Sequence, residues 1–184
     1  MNLFILRHAS AGVRRANSTL DRKRPLDKEG KRHCLQLAEV LNQMKTSFDL
    51  IVSSPLKRCL QTASFVGTET GYEAKILSSA ALAPDATFAQ FQKLLSDCAT
   101  YENLLLVGHN PNLTVFLASL IAQTPTASPL EAGTRPPVRL RKGSLARLSY
   151  SRGPATLQWL LDPRMVRAVY ATSTNKSRPK TSRK

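Results

Sequence analysis

The sequence predicts an α/β fold with three layers, in which helices cover both faces of a mostly parallel sheet that ends in an antiparallel C-terminal hairpin. Short apolar segments alternate with amphipathic segments along the chain, which is the pattern of a parallel sheet covered by helices. The 184 residues, 42% of them hydrophobic, suffice for one domain with a sizeable core. Two β-like segments near the C-terminus flank the turn at Arg152-Gly153-Pro154, and such a pair indicates a hairpin.

The first half of the chain predicts two strands, each followed by a helix. Residues 2–7 form a buried strand, and a polar, basic loop follows over residues 9–25. Asp27 is the expected N-cap of a helix that runs to residue 44. Five apolar residues lie on one face of that helix: Cys34, Leu37, Ala38, Leu41 and Met44. Residues 48–52 form the second strand, and Ser54 and Pro55 stand where an N-cap and a first helical residue belong, with the helix ending near Gly71.

The second half continues the alternation and then changes character. A short strand is expected near residues 75–77, a helix over 87–98, a buried strand over 103–107 and a helix over 112–122. Residues 124–143 contain four prolines and are expected to form a long surface loop. The hairpin strands are expected at residues 144–150 and 156–160.

The net charge of +15 is unevenly distributed along the chain. Residues 1–102 contain 14 basic and 10 acidic residues, whereas residues 103–184 contain 13 basic and only 2 acidic residues. A basic excess can indicate nucleic-acid binding, but aromatic residues for base stacking are few, at 6%, and no recognition motif is present. We therefore expect no specific nucleic-acid partner.

Cysteine usage and hydropathy favour a soluble, cytoplasmic protein. The odd count of three cysteines and their spacing match neither a disulfide scaffold nor a zinc site, so buried, reduced thiols are expected. Residues 104–122 lack charged side chains, but a turn at residues 108–112 divides them into elements too short to span a membrane. The apolar run at the N-terminus stops at Arg7, which is too short for a signal peptide.

Basic and imidazole side chains follow three of the predicted strands. Arg7 and His8 end the first strand, Arg58 lies in the first turn of the helix after the second, and His109 follows the fourth. Ligands of open α/β sheets bind beyond the carboxyl ends of the strands, and arginine forks match phosphate oxygens. The pattern predicts a phosphoryl-binding pocket, and no metal site or cofactor. His33, within the helix over 27–44, is expected at the surface or in edge packing.

Three motifs in this order resemble the histidine phosphatase (phosphoglycerate mutase-like) superfamily. They are Leu3-Phe4-Ile5-Leu6-Arg7-His8-Ala9, then Ser54-Pro55-Leu56-Lys57-Arg58-Cys59-Leu60-Gln61-Thr62-Ala63, and Gly108-His109-Asn110-Pro111. The resemblance extends to about residue 163. Within this superfamily, the chain resembles the SixA-type phosphohistidine phosphatases. The features that carry this closer resemblance are its small size and the segments Arg24-Pro25-Leu26 and Trp159-Leu160-Leu161-Asp162-Pro163.

The resemblance implies a metal-independent phosphatase that needs no cofactor. His8 would be the nucleophile and form a phosphohistidine intermediate, while Arg7, Arg58 and His109 would bind the phosphoryl oxygens. Arg24 is a further candidate for phosphate binding, with an ordinary surface charge as the alternative. We expect a histidine phosphatase domain over residues 1–171 and a basic, disordered tail over residues 172–184.

The proton donor and the substrate stay open at this stage. Asp85 is the candidate general acid, and its alternative is the N-cap of the next helix. The first hypothesis is hydrolysis of phosphohistidine on a phosphorylated protein, whose imidazole leaving group needs little acid help. The alternatives are a phosphomonoesterase acting on a small metabolite and, third, a basic nucleic-acid-binding protein with a vestigial site.

Overall fold

Strands and helices alternate along the part of the chain that the computed structural model describes, residues 1–122, 138–151 and 153–176. In these described ranges, six strands form one sheet in the order β3-β2-β4-β1-β5-β6. Their bounds are β1 Asn2–Arg7, β2 Leu50–Ser53, β3 Leu77–Ser78, β4 Asn103–Gly108, β5 Leu145–Ser149 and β6 Thr156–Leu161. The first four strands are mutually parallel, and β5 is antiparallel to both β1 and β6. The predicted parallel sheet with a C-terminal hairpin is confirmed.

Six α-helices flank the sheet within the described residues. They are α1 Ser18–Arg22, α2 Lys28–Gln43, α3 Lys57–Glu69, α4 Phe88–Asp97, α5 Asn112–Ala122 and α6 Pro163–Lys176. Side chains at the N-termini of two helices set where those helices begin. Asp27 caps α2 by accepting from the backbone N–H of Gly30 at 2.7 Å, and Thr87 and Gln90 form a capping box at α4.

Side chains alternate across the central strands and thereby divide the core in two. On β1, Leu3 and Ile5 pack with the apolar faces of α4 and α5, whereas Phe4 and Leu6 pack with those of α2 and α3. Val166 of α6 joins the second cluster. This arrangement is the predicted three-layer fold, with α4 and α5 on one face and α2, α3 and α6 on the other.

Two helices and one helix boundary differ from the prediction. The N-cap of α3 is Leu56, which makes no side-chain capping bond, rather than Ser54. Neither α1 nor α6 was predicted, although Pro163 at the first position of α6 is a common start signal. The last helix runs to Lys176 and so contains the first five residues of the predicted tail, 172–176, while residues 177–184 lie outside the described residues.

The cysteine prediction is confirmed, since Cys34, Cys59 and Cys98 are all free and buried. Burial raises the pKa of the Cys34 and Cys59 thiols to about 12. Of the helices that the structure describes, none combines the length and the apolar character needed to cross a membrane. Much of the predicted long loop, residues 123–137, lies outside the described residues.

Candidate active site

The carboxyl ends of β1, β2 and β4 meet at one edge of the sheet because these parallel strands are neighbours in the order β2-β4-β1. The strand ladder continues one residue past β1, where the N–H of His8 donates to the carbonyl oxygen of Gly108 at 3.1 Å. The rings of His8 and His109 are therefore close, with centroids 5.1 Å apart. The structure thus brings together residues more than 100 positions apart in the sequence.

One nitrogen of His8 is held and the other is open. Its Nδ1 lies 2.8 Å from the carbonyl oxygen of Ala9, which can only accept, so Nδ1 carries the ring proton. Within the described part of the chain, Nε2 has no hydrogen-bond partner. Burial, followed by the charges of Arg58 and Arg7, lowers the pKa of His8 to about 3. At neutral pH the ring is uncharged and has a lone pair on Nε2.

Arg7 and Arg58 are each anchored through one terminal nitrogen. Arg7 Nη1 donates to the carbonyl oxygen of Leu140 at 2.9 Å, and Arg58 Nη1 donates to the carbonyl oxygen of Asp21 at 3.0 Å. The Nε atoms of both arginines are buried and lack a partner among the described residues. A buried N–H of a cation is costly to leave unpaired, and an anion would satisfy both. Burial lowers the pKa of both guanidinium groups.

The second imidazole, His109, packs against α3. Its Nε2 lies 2.9 Å from Ser54 Oγ and 3.3 Å from Cys59 Sγ. This contact explains why Ser54 does not cap α3, because its hydroxyl is directed to the ring of His109. Burial first, and then electrostatic coupling to the ring of His8 and to the charges of Arg58 and Arg7, lower the pKa of His109 to about 2, so the ring is neutral in the protein without substrate.

The remaining polar residues of the second motif hold the loop that follows the nucleophile. Thr62 Oγ1 accepts from the backbone N–H of Ala9 at 3.1 Å and donates to the carbonyl oxygen of Arg58 at 2.7 Å. Gln61 Oε1 accepts from the backbone N–H of Leu26 at 2.8 Å. Helix α3 therefore supplies Arg58 and also fixes both ends of the loop beside it.

Arg24 joins this cluster through Asp21, a residue that the sequence analysis did not single out. Arg24 Nε lies 2.8 Å from Asp21 Oδ1, and its Nη1 donates to the carbonyl oxygens of Ala11 and Gly12. The same carboxylate reaches Arg58, with 3.3 Å between Asp21 Oδ2 and Arg58 Nη1. Arg24 is neither a free surface charge nor an isolated phosphate ligand, because it is part of a network that contains Arg58.

Asp85 lies in an exposed loop that is held near the third motif. The side-chain amide of Asn112 donates to the carbonyl oxygens of Ala83, Pro84 and Ala86, so the loop is fixed to the start of α5. The N-cap alternative for Asp85 is wrong, since Thr87 occupies that position. Asp85 makes no hydrogen bond or ion pair with any other described residue.

His33 is buried behind the nucleophile, so its placement at the surface was wrong. Only 6% of its surface is exposed, and its Nε2 donates to the carbonyl oxygen of Gly143 at 2.9 Å. The N–H of Gly143 in turn points to the carbonyl oxygens of Arg7 and His8, at 3.0 and 3.1 Å. His33 therefore braces the end of β1, and helical periodicity alone could not show this because the contact spans 110 residues.

Among the described residues, no group of three or more His, Cys, Asp and Glu side chains is arranged to hold a metal ion. The positive charge near the two imidazoles comes from side chains, foremost Arg7 and Arg58. Guanidinium groups can do part of what a metal does in phosphoryl transfer, because they neutralise charge on the equatorial oxygens. The arrangement can bind an anion next to an uncharged nucleophile.

The model of the histidine phosphatase superfamily (branch 1) matches residues 3–82, which include His8, Arg24 and Arg58. An uncharacterised protein of Picosynechococcus sp. is 34% identical over 116 residues, which cover 61% of this chain and 68% of that protein. The chain belongs to the histidine phosphatase superfamily.

Solved structures share the fold of this chain over most of its length. The protein histidine phosphatase SixA, in complex with tungstate, superposes with a TM-score of 0.74 at 23% identity and covers 89% of this chain and 98% of its own. The α-ribazole phosphatase of Shigella flexneri superposes with a TM-score of 0.65 at 19% identity, covering 89% and 97%. At these identities the superpositions show a shared fold over most of the chain.

Proposed function

We propose that this superfamily member is a metal-independent phosphohistidine phosphatase that removes phosphoryl groups from histidine side chains of a phosphorylated protein. The observation that carries the proposal is the state of His8, whose Nδ1 is bound to a carbonyl oxygen and whose Nε2 is open and unprotonated. Next to it, Arg7 and Arg58 each have a buried Nε that lacks a partner among the described residues. A neutral imidazole beside two such donors suits attack on a phosphoryl group.

In the first step, His8 Nε2 attacks phosphorus as the bond from phosphorus to the substrate's imidazole nitrogen breaks. That nitrogen keeps the electron pair, and an imidazole that enters protonated leaves as the neutral ring. The proton on His8 Nδ1 stays on the ring, and the carbonyl oxygen of Ala9 stabilises the cationic phosphohistidine that forms. Arg7 and Arg58 bind the equatorial oxygens, on which negative charge is concentrated.

In the second step, water attacks the phosphorus of the phosphorylated His8, the bond to Nε2 breaks, and orthophosphate leaves. His109 supports both steps as a donor to a phosphoryl oxygen. A bound dianion raises the pKa of a neighbouring imidazole, so the ring that is neutral without substrate gains proton affinity when the phosphoryl group arrives. Arg24 contributes positive charge from the same network.

The site offers little general-acid catalysis to the leaving group, and this supports a phosphohistidine substrate. An alkoxide leaving group needs a proton donor, whereas imidazole, with a pKa of about 6.5, leaves readily. Asp21, the carboxylate that touches Arg58, has its pKa lowered to about 2, first by the backbone N–H of Arg15 and then by Arg24, so it holds no proton to give. The other candidate, Asp85, is exposed to solvent.

The loop after the nucleophile supports a protein substrate. Val13 and Leu20 leave 88% and 52% of their surface exposed, and Arg14 and Arg15 beside Val13 are exposed too. Lys142, before β5, is exposed and close enough to lower the pKa of the nucleophile. A small metabolite gains little from apolar and basic surface outside the pocket, whereas an acidic phosphoprotein gains contact area and faster encounter.

The decisive experiment compares kcat/KM among substrate classes and between charge-reversed variants of two surface regions. We expect kcat/KM for a phosphohistidine-bearing acidic protein domain to exceed that for sugar phosphates and nucleotides, with no loss in EDTA. The charge reversal Arg14→Glu with Arg15→Glu should lower kcat/KM for the protein substrate about tenfold and leave an aryl phosphate unaffected. The matched control is Arg164→Glu with Arg167→Glu on α6. Equal losses in both pairs, or a preference for a metabolite, would contradict the proposal.

The second candidate function is a phosphomonoesterase for a small metabolite. The fold is shared with α-ribazole phosphatase, and Asn112 holds the loop of Asp85 near the third motif, where a general acid could act. If Asp85 protonates the leaving group, Asp85→Asn should slow alkyl phosphates roughly 10²–10⁴-fold and phosphohistidine least. The control Asp97→Asn changes an exposed carboxylate on α4. Strong wild-type turnover of an alkyl ester that collapses in Asp85→Asn would establish this second function.

We infer a cytoplasmic location from the state of the thiols. Cys34, Cys59 and Cys98 are all free, and an oxidising compartment disfavours proteins that keep several free cysteines. Fractionation of cells that produce the tagged protein should recover it with cytoplasmic markers, and recovery in an exported fraction would contradict the inference.

A further inference from the structure

Asp21 lies between two of the arginines of the candidate site. Its Oδ1 is 2.8 Å from Arg24 Nε and its Oδ2 is 3.3 Å from Arg58 Nη1, and only 13% of the side chain is exposed. The backbone also takes part, because the carbonyl oxygen of Asp21 accepts from the same Arg58 Nη1 at 3.0 Å. The backbone N–H of Arg15 also donates a hydrogen bond to Asp21 Oδ1 at 3.0 Å.

These contacts determine which edge of Arg58 is free. An arginine binds a phosphoryl group best through two N–H groups of one edge, and it loses rotamer entropy when it does so. Asp21 holds Nη1 of Arg58, while the buried Nε has no partner among the described residues. The guanidinium group is therefore immobilised before any ligand arrives, with its Nε edge available.

We propose that Asp21 is a positioning residue that orients the guanidinium groups of Arg58 and Arg24 for phosphoryl binding. The inference rests on the proposed function only in that Arg58 is taken to bind the phosphoryl group. The carboxylate touches the arginines rather than the substrate, so it acts through them. The five-residue helix α1 gives Asp21 its place, and Asn17 Oδ1 caps that helix by accepting from the N–H of Leu20 at 3.0 Å.

The test is a double-mutant cycle on orthophosphate binding, measured by calorimetry and by competitive inhibition of aryl phosphate hydrolysis. We expect Asp21→Ala to weaken orthophosphate binding roughly tenfold, the size typical of residues that orient a ligand-binding group. In an Arg58→Ala background the same change should cost about threefold or less, the remainder arising from Arg24. The isosteric Asp21→Asn repeats the cycle in case removal of the side chain lowers stability.

The matched control is Asp27→Asn, since Asp27 organises the same loop without an ion pair to any described residue. Its Oδ2 accepts from Ser10 Oγ at 2.6 Å and from the N–H of Gly12 at 2.8 Å. We expect orthophosphate binding in Asp27→Asn to stay within about twofold of the wild type, because the arginines keep their partner.

Three outcomes distinguish the two proposals. Equal losses from Asp21→Ala with and without Arg58, or equal losses from Asp21→Asn and Asp27→Asn, would overturn the positioning role while the proposed function stands. Orthophosphate binding that survives Arg58→Ala unchanged would overturn the phosphoryl site, and with it both proposals. A loss that depends on Arg58, absent from the Asp27 control, supports the role of Asp21.

Discussion

Burial sets the protonation state of the two imidazoles at the candidate site. An exposed histidine has a pKa near 6.5 and is partly charged at neutral pH. The interior of this protein, with two arginines nearby, lowers the pKa of His8 to about 3 and that of His109 to about 2. A histidine nucleophile needs the neutral form, so the position of His8 at the buried end of β1 supplies what the chemistry requires.

Both rings should therefore stay neutral when the free protein is titrated from pH 8 to pH 5. We expect the 15N signals of His8 and His109, measured by NMR, to keep the pattern of uncharged rings with one protonated nitrogen. Saturating orthophosphate at pH 7 should move the His109 signals towards the protonated form, because the dianion favours positive charge beside it. A midpoint near 6.5 for His8 in the free protein would contradict the assignment.

Replacement of the nucleophile should abolish phosphoryl transfer. In His8→Ala we expect aryl phosphate hydrolysis to fall to background, because the variant lacks the Nε2 atom that receives the phosphoryl group. Wild-type enzyme quenched in alkali during turnover should contain an acid-labile, alkali-stable phosphoenzyme. The control is His33→Gln, whose side-chain amide can replace the ring Nε2 as the donor to the carbonyl oxygen of Gly143, and this variant should still form the phosphoenzyme. Phosphoenzyme in His8→Ala would show that another residue is the nucleophile.

At the scale of elements, α2 is docked against the loop that follows the nucleophile. Gly30 in its first turn packs directly on the carbonyl oxygen of Ser10, and the backbone N–H of Asp27 donates to that oxygen at 3.1 Å. A Cβ at position 30 would overlap the Ser10 carbonyl group. The close approach fixes where the loop leaves β1 and therefore how Asp21 and Arg24 reach Arg58.

Gly30→Ala should accordingly lower the free energy of unfolding by more than the same substitution at a glycine whose surroundings leave room for a Cβ. The matched control is Gly71→Ala, which meets no atom within 4 Å but needs a positive φ of 77°. We expect the control to lose about 1 kcal/mol of unfolding free energy and no activity. Gly30→Ala should lose more stability and also weaken orthophosphate binding, measured by urea unfolding and calorimetry. Equal losses of stability and of orthophosphate binding in the two variants would show that the close contact between α2 and the loop after β1 contributes to neither.

At the scale of the whole molecule, three buried histidines make stability depend on pH. Burial is the first cause of the lowered pKa of His8, His33 and His109. The unfolded chain takes up protons on these rings near pH 6.5, whereas folded His8 and His109 do not until about pH 3 and 2. The unfolded state therefore binds more protons below pH 6.5, and the free energy of unfolding falls as the pH drops through that window.

Urea unfolding at pH 7.5, 6.5 and 5.5 tests this linkage. We expect little change between the first two values and a clear loss by pH 5.5, with a limit of about 1.4 kcal/mol per pH unit for each histidine. His8→Asn removes one titrating ring and should show a shallower loss. A flat profile, or the same slope in His8→Asn, would mean that these rings are protonated in the folded state.

The basic C-terminus should affect encounter with a partner rather than the fold. Deletion of residues 177–184 removes Arg178, Lys180, Arg183 and Lys184 and leaves α6 intact. We expect an unchanged melting temperature and unchanged aryl phosphate turnover. The value of kcat/KM for an acidic phosphoprotein should fall and become less sensitive to salt. A large drop in melting temperature would show that these residues are structural.

Local patterns in the sequence determine the fold class and most of the candidate site. Strand and helix periodicity is set by neighbouring residues, so β1, α2, β4 and α5 agree with the prediction within two residues at each end. Residues at the carboxyl ends of adjacent parallel strands must lie at one edge, so Arg7, His8 and His109 could be placed together from the sequence. Arg58 followed from its position in the first turn of α3.

Only the tertiary structure revealed how those residues are held and charged. The bridge from Asp21 to Arg58 spans 37 residues, and that from His33 to Gly143 spans 110. Ser54 carries the usual signal of a helix N-cap, yet its hydroxyl group bonds to His109, because a contact in space outweighed a local preference. The lowered pKa values of His8 and His109 depend on burial, which is a property of the folded chain. Neighbours in the sequence set the elements, whereas desolvation and ion pairing depend on residues that meet only when the chain folds.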